Sequence, residues 1–467
     1  MTAALAAAPV RPRRATLVEI AAFAMAVFIL LVFSQGWVPL VLGHKEAPQT
    51  AFSRAVFFAP YLCAVALLAL NPADGARTLL RQPFLVILVW IAGASTFWSI
   101  DPGETLRRTL GLLFTSLCGV VLAARFRWAA LAEIFGVTFL ILAVGSLVAA
   151  VAAPSFGVMQ ELFPGAWRGL WSEKNSLGSN MTIGFVLLAG AAVLNPQRAR
   201  LWGPAAALCL FLVVMSASKT SLVSCLLGGC GLVLVALVRR GPAWRLFATW
   251  GALTVAVMLL MGLLFSADVF LALLGKDATL TGRTKIWGAI LTLIPQHPWL
   301  GYGYAAVWSD DRPWAPLAWI VKLAGFRPGH AHNSWLEQWL GIGLIGLIAW
   351  AGYFLQTSTQ AVIALYRSKG AYLAVPFLLV YTLTSLSESI AVVFNDMRWT
   401  VFVALAAKLA YSDPPPPRPP IRRQARRRAP SPTVTSSAPP AMARSTRRPS
   451  ASGVQPNGEG ASPTSWV

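Results

Sequence analysis

The sequence predicts an all-α, polytopic membrane protein of about 12 transmembrane helices with one large periplasmic loop at roughly residues 267–333. Three observations carry this expectation. First, 57% of the 467 residues are hydrophobic, only 12% are charged, and the mean hydropathy is +0.64; a soluble domain carries about 25% charged residues. Second, the apolar residues fall into repeated blocks of about 17–25, the length of a helix crossing a bilayer. Third, lysines and arginines gather in alternate loops, as membrane topology requires.

Reading apolar blocks against breaks places spans at about 17–35, 52–70, 84–97, 109–124, 129–153 and 177–194. Six more follow at about 202–217, 219–238, 246–266, 335–356, 371–392 and 399–411. An even count puts both termini on one side. With the N-terminus inside, every inner loop carries at least two positive charges, among them Arg77 and Arg81, Arg125 and Arg127, Arg198 and Arg200, and Arg239 and Arg240. Both termini are therefore expected in the cytoplasm of a cell bounded by this membrane.

Residues 1–411 read as the membrane domain and 412–467 as a disordered, basic, Pro/Arg-rich cytoplasmic tail. The tail opens "SDPPPPRPPIRRQARRRAPSP"; such a segment cannot bury enough apolar surface to fold alone, and its charge suits anionic headgroups. The net charge of +21 is thus accounted for by tail and loops, and no basic face with base-reading groups marks a nucleic-acid partner. The chain lacks a phosphate-binding glycine loop, which argues against an ATP-driven pump. Its five cysteines, none in a CxxC pair, lie in apolar stretches and read as buried small hydrophobes. The first apolar block follows Arg11, Arg13 and Arg14 without a small-residue cleavage site, so it reads as a retained span.

Charges on the outer side stand out against that pattern. "WSIDPGETLRRTL" holds Asp101, Glu104, Arg107 and Arg108; "PGAWRGLWSEKNSLG" holds Arg168, Glu173, Lys174 and Asn175; "SASKTS" holds Lys219. In the long loop, "LTGRTKIWGAI" suggests an amphipathic helix lying along the interface, with Ile286, Trp287, Ile290 and Leu291 on one apolar face. Arg283 at its start faces headgroups, where a planar fork suits a phosphate better than an ammonium does. Arg168, between Trp167 and Trp171, is similarly placed. Two arginines at one surface point to a lipid-linked phosphate or pyrophosphate.

Of the four histidines, His44 lies in a short outer loop with no supporting pattern, and His297 sits in the turn "PQHPWLGYGY". His330 and His332 belong to "RPGHAHNSWLEQWLGIGLIG", just before a span. An HxH pair can ligate a metal, but no third ligand pattern accompanies it, and no metal is expected. A neutral histidine at a water-accessible surface is instead suited to general-base work, since the ordinary imidazole pKa lies near working pH.

His332–Asn333, nine residues, then Gly343 and Gly346 resemble the H-N-x9-G-x-x-G signature of the bacterial O-antigen ligase and polymerase superfamily. "WSIDPGETLRR", "WRGLWSEKNSLG", "SASKTSL", "LTGRTKIW", "HPWLGYG" and "SLSESI…FND…W" are most similar to its exopolysaccharide-polymerase branch. The resemblance spans about residues 85–400, outside the first span and the tail.

The resemblance implies a GT-C-like membrane glycosyltransferase of the bacterial inner membrane. Its donor would be a glycan on undecaprenyl pyrophosphate, and its acceptor another glycan, for a polymerase, or lipid A–core sugar, for a ligase. Membrane lipids and other polysaccharide export proteins would be its partners, with no cofactor and no metal. The implied catalytic residues are Arg168 and Arg283, holding the pyrophosphate, and His332, activating the acceptor hydroxyl. Lys174, Lys219, Asn333 and Glu388 are the expected substrate-binding residues. Glu388 and Asn395 could equally orient His332 or make a satisfied helix contact, and Lys219 could snorkel. A transporter of lipid-linked oligosaccharide is the alternative from another class, but the polar motifs cluster at one surface without the repeated halves that transporters show.

Overall fold

The computed structural model describes residues 16–43, 51–161, 163–265 and 282–411. The expected tail, His44, the N-terminal arginines and the first part of the long loop lie outside the described residues. The described chain is helical throughout, and no strand forms beyond one isolated antiparallel bridge, Val158 to Trp167.

Proline and Asn/Asp/Ser/Thr punctuation starts the helices. In order they are α1 (Leu17–Phe33), α2 (Ala51–Leu70), α3 (Pro72–Leu80), α4 (Pro83–Ala94), α5 (Pro102–Arg125), α6 (Trp128–Ala152), α7 (Lys174–Leu194) and α8 (Ala199–Met215). Then come α9 (Lys219–Val238), α10 (Pro242–Phe265), α11 (Arg283–Leu293), α12 (Pro316–Ala324), α13 (Ser334–Arg367), α14 (Ala371–Ser385) and α15 (Met397–Ala410). Thr16 closes a capping box with Glu19 at the start of α1, and Asp101 caps α5 by accepting from Glu104 N, so orphan amides at these ends are satisfied.

Each of the twelve expected spans falls on one of these helices. Among the described residues six helices are long and apolar enough to cross a membrane, or seven if α2 and α3, bent by 103°, count as one span. Three more, at α1, α4 and α14, are shorter apolar helices. Large side chains on the perimeter are exposed, such as Leu226 at 71%, Leu355 at 67% and Ile348 at 60%, as lipid-facing positions are. The interior is close-packed around Trp350, Tyr353, Trp399 and Phe402. Buried hydroxyls such as Thr138 and Thr384 bond back to the carbonyl four residues earlier. This is a membrane-embedded, multi-pass helical protein.

Two ends of the bundle differ in chemistry. At one, Arg81 donates to Ala410 O, Asn195 to Ala129 O, Arg239 to Ser368 O and Lys408 to Ala123 O; these are the basic loops assigned to the inner side. At the other end meet the start of α5, the loop before α7, the start of α13 and the chain between α14 and α15. This is the end with the sequence motifs.

Two expectations change here. The span placed at 371–392 ends at Ser385, and residues 386–396 form a non-helical strap before α15. Beyond Glu388, whose N still donates to Thr384 O, side chains serve the strap's backbone in place of helical hydrogen bonds. Ser334 Oγ accepts from Ile390 N and Ala391 N; Tyr381 and Tyr304 donate to Ile390 O and Val392 O. The helix at 283–293 likewise does not lie on an interface with the expected face. Ile286, Ala289, Ile290 and Leu293 are buried against Tyr302, Val307, Ile320 and Leu340, while Leu291 is 52% exposed. A folded cap made from residues 294–333 supplies the apolar partner that lipid was expected to provide.

Candidate active site

The site is assembled where the "HAHN" turn meets the strap. Asn333 caps α13 by accepting from Trp335 N and Leu336 N, and its Nδ2 donates to Leu386 O. Its side chain thereby ends the turn and ties it to the chain after α14. Four residues into the helix, Glu337 reaches back to accept from Ala331 N, and also from Ser389 Oγ and Trp308 Nε1. Trp287 of α11 donates to Ala331 O at 2.9 Å. Turn, strap, α11 and α13 are thus locked together, and His332 is held at φ 49°, a left-handed conformation uncommon for residues other than glycine.

Within this frame Glu388 sits between two of the predicted catalytic residues. Its Oε1 accepts from Arg283 Nη2 at 2.5 Å and its Oε2 lies 3.0 Å from His332 Nδ1. Burial opposes ionisation of Glu388, yet the His332 hydrogen bond and the Arg283 charge hold its pKa down to about 2. An ionised carboxylate can only accept. His332 Nδ1 must therefore carry the proton, which leaves the Nε2 lone pair free as a base. Glu388, expected either to orient His332 or to bind sugar, is in direct contact with His332.

His330 stacks beside His332, with ring centroids 4.0 Å apart, and its Nδ1 accepts from His332 N at 3.1 Å. Burial, then the neighbouring His332, push its pKa down to about 3, so it stays neutral. Because the folded pKa lies below the ordinary 6.5, the unfolded chain binds the proton first as pH falls. Stability from this site is full above about 6.5 and is lost from there toward 3. Thermal unfolding followed against pH should show a shallower decline over that window in His330→Asn, whose side-chain oxygen keeps the accepting role.

His330, His332 and Glu388 offer ligand atoms within 4.8 Å of one another. The sequence showed no third ligand beside the HxH pair; folding brings one from 56 residues away. Glu388 is already engaged by a guanidinium and an imidazole, however, and Arg398 adds further positive charge near His330. A divalent cation would have to displace those partners. Treatment with a chelator should leave activity unchanged; loss restored by zinc would turn the trio into a ligand set.

The glycines of the motif break the helix that follows. Ile342 and Gly343 have non-helical angles inside α13, with Gly343 at φ 67°, ψ −172°, a region open essentially to glycine alone. The freed backbone groups bond instead to the "HPWLGYG" loop: Leu344 N to Pro298 O, Tyr302 N to Leu340 O and Gly303 N to Gly341 O. A Cβ on Gly343 would lie 2.1 Å from Trp299 O. Gly343→Ala should destabilise the protein by about 1–3 kcal/mol or more, read as a fall in Tm or in folded yield; an unchanged Tm would remove this account of the motif.

Arg168, Lys174 and Lys219 form a separate group around the loop before α7. Arg168 Nε donates to Phe156 O at 2.7 Å and Nη2 to Ser155 O at 3.1 Å, and burial lowers its pKa. Lys174 Nζ donates to Ala217 O and lies 3.8 Å from the centre of the Phe163 ring. Lys219 starts α9 close enough to Lys174 for their charges to interact. Among the described residues no contact joins Arg168 to Arg283 or His332, so the expected convergence of the two arginines is not seen.

A cavity of about 910 Å³ reaches sequence neighbours of both groups. Its wall includes Ser172 from the Arg168 loop, His330 and Glu337 from the histidine side, and Arg107 and Arg108 from α5.

Residues 204–351, from α8 through the broken part of α13, match the family described as O-antigen ligase. The chain is also 29% identical over 266 residues to exopolysaccharide production protein ExoQ of Rhizobium meliloti (strain 1021). That match covers 54% of this chain and 59% of the relative's length. Both matches are in line with the resemblance carried by the histidine, asparagine and glycine motif: part of the chain is similar to the O-antigen ligase family, and about half of it is similar to an exopolysaccharide production protein.

Proposed function

We propose that this protein is a membrane glycosyltransferase that moves a glycan from undecaprenyl pyrophosphate onto an acceptor sugar hydroxyl, polymerising exopolysaccharide or O-antigen repeat units. The observation that carries the reading is the Arg283–Glu388–His332 chain of contacts, which leaves His332 Nε2 as a base, with the ring of His332 stacked on His330 of the cavity wall. His332 Nε2 takes the proton from the acceptor hydroxyl as its oxygen forms the new bond to the donor sugar's C1 and the C1–phosphate bond breaks. The electron pair of that bond leaves with the pyrophosphate, where fixed guanidinium groups stabilise it more in the transition state than in the ground state. The similarity to an exopolysaccharide production protein favours the polymerase over the ligase reading, in which lipid A–core is the acceptor.

The membrane would be the bacterial inner membrane, with both termini in the cytoplasm and the site on the outer face. That orientation rests on the basic loops gathered at the opposite end of the bundle. Purified full-length protein in lipid nanodiscs, given an undecaprenyl-pyrophosphate oligosaccharide, should extend the glycan and release the carrier pyrophosphate. If the lipid changes leaflet and no glycosidic bond forms, the protein is a transporter and the enzyme reading fails.

A further inference from the structure

We infer that Arg107 and Arg108 form the diphosphate-binding site for a polyprenyl-diphosphate-linked glycan, with the isoprenoid lying along the aromatic wall of the same cavity. The inference rests on the lipid-linked reading above and assigns it to residues other than the arginines that the family motif singles out.

The charge balance of the site leads to this pair. Arg283 is matched by Glu388, so its charge is spent on orienting His332. Arg168 serves the carbonyls of Ser155 and Phe156. At the start of α5, by contrast, two guanidinium groups share one carboxylate. Glu104 accepts from Arg107 Nε at 2.9 Å and from Arg108 Nε at 2.5 Å, leaving one positive charge in excess. Arg108 is held further by its donation to Ala305 O and by the face of Phe394, 5.7 Å away. Arg107 keeps Nη1 without a hydrogen-bond partner among the described residues, and its side chain is 36% exposed. A guanidinium fixed through one edge and open at the other suits bidentate capture of a phosphate.

The rest of the cavity fits the same ligand. Phe57, Phe58, Phe114 and Leu42 line one part, and His330 and Glu337 line another. Apolar walls with a few convergent polar groups are the usual make-up of a small-molecule site. Arg107 and Arg108 share α5 with Phe114 of the aromatic wall, and Arg108 bonds to Ala305, which lines the same cavity as His330. A lipid-linked glycan likewise joins an isoprenoid, a diphosphate and a sugar. The RR doublet of "DPGETLRR" therefore has a role that its spacing alone does not disclose.

The test measures binding of undecaprenyl diphosphate without sugar to the full-length protein in nanodiscs, so no turnover is needed. Arg107→Glu should weaken binding by about tenfold or more, and Arg107→Lys by less, because one charge-assisted contact is reversed or only loosened. Arg107 is the better variant because Arg108 also packs against Ala305 and Phe394; an unchanged Tm for Arg107→Glu confirms that it folds. Farnesyl diphosphate should compete, whereas farnesol and inorganic pyrophosphate should compete far less. Equal binding by Arg107→Glu, or competition by farnesol equal to that of farnesyl diphosphate, would overturn the site. Transfer activity with unchanged Arg107→Glu binding would sink this inference alone. Arg107-dependent binding without any transfer would instead sink the enzymatic reading and leave a carrier-lipid site.

Discussion

His332→Ala should lower glycan transfer by about 10²–10⁴-fold, the usual contribution of a positioned general base, with protein abundance and lipid binding unchanged. The expectation is sharper than one drawn from a motif, because the surrounding bonds assign each ring nitrogen. Glu388, held ionised with its pKa at about 2, can only accept, so Nδ1 is the donor and Nε2 the base. The turn does not depend on the imidazole for its shape. Asn333 caps α13, Glu337 accepts from Ala331 N, and Trp287 donates to Ala331 O. Deleting the ring should therefore remove chemistry and spare the fold. Single-turnover transfer from a lipid-linked donor reads the rate, and sugar-free lipid binding reads the site. A variant that transfers at near-normal rate would end the general-base assignment.

Arg283→Lys should be the next most severe change although it keeps the charge. Arg283 reaches Glu388 Oε1 at 2.5 Å while Glu388 Oε2 faces His332, so one planar group orients the carboxylate that orients the base. Lysine offers a point charge on a flexible stem and cannot reproduce that fork. Activity should fall mainly in kcat, with KM little altered, because the contact positions His332 rather than binding substrate. Glu388→Gln supplies the second edge of a double-mutant cycle. If Arg283 acts through Glu388, the double variant should be no worse than the poorer single one; additive losses would show that Arg283 touches the substrate phosphate directly. Loss of folded protein in Arg283→Lys together with full activity of Glu388→Gln would leave the pair only a structural role.

The sequence made the periodic features legible. Twelve apolar blocks predicted helices at their observed places because a bilayer imposes one length and one composition on any segment that crosses it. The basic loops came together at one end and the motif loops at the other, as charge distribution alone required. His332, Arg283 and Glu388 were all nominated from short polar motifs that stand out against an apolar background. His330, Glu337, Arg107 and Arg108 were named or visible but given no role. Nothing local distinguishes a reaching glutamate or an arginine doublet from an ordinary solvated face.

Errors arose where a segment looks apolar yet is not a helix in lipid. "SLSESIAVVFND" reads as the end of a span, but Ser334, Tyr381 and Tyr304, distant in sequence, supply the hydrogen bonds that let it leave the helix. That change matters, since it swings Glu388 out of a helix and onto His332. The apolar face of α11 found a protein partner instead of a membrane surface for the same reason.

By itself, then, the sequence determined the membrane-embedded helical class, the order of the helices, and which polar residues were candidates, since these follow from local composition and period. Only the tertiary structure decided their partners. It joined Arg283, Glu388 and His332 across 105 and 56 residues of chain, tied Arg168 to the carbonyls of Ser155 and Phe156, and opened a cavity lined by His330, Arg107 and Arg108. Contacts at such separations depend on how helices pack and where they break, and neither is written in any single stretch of residues.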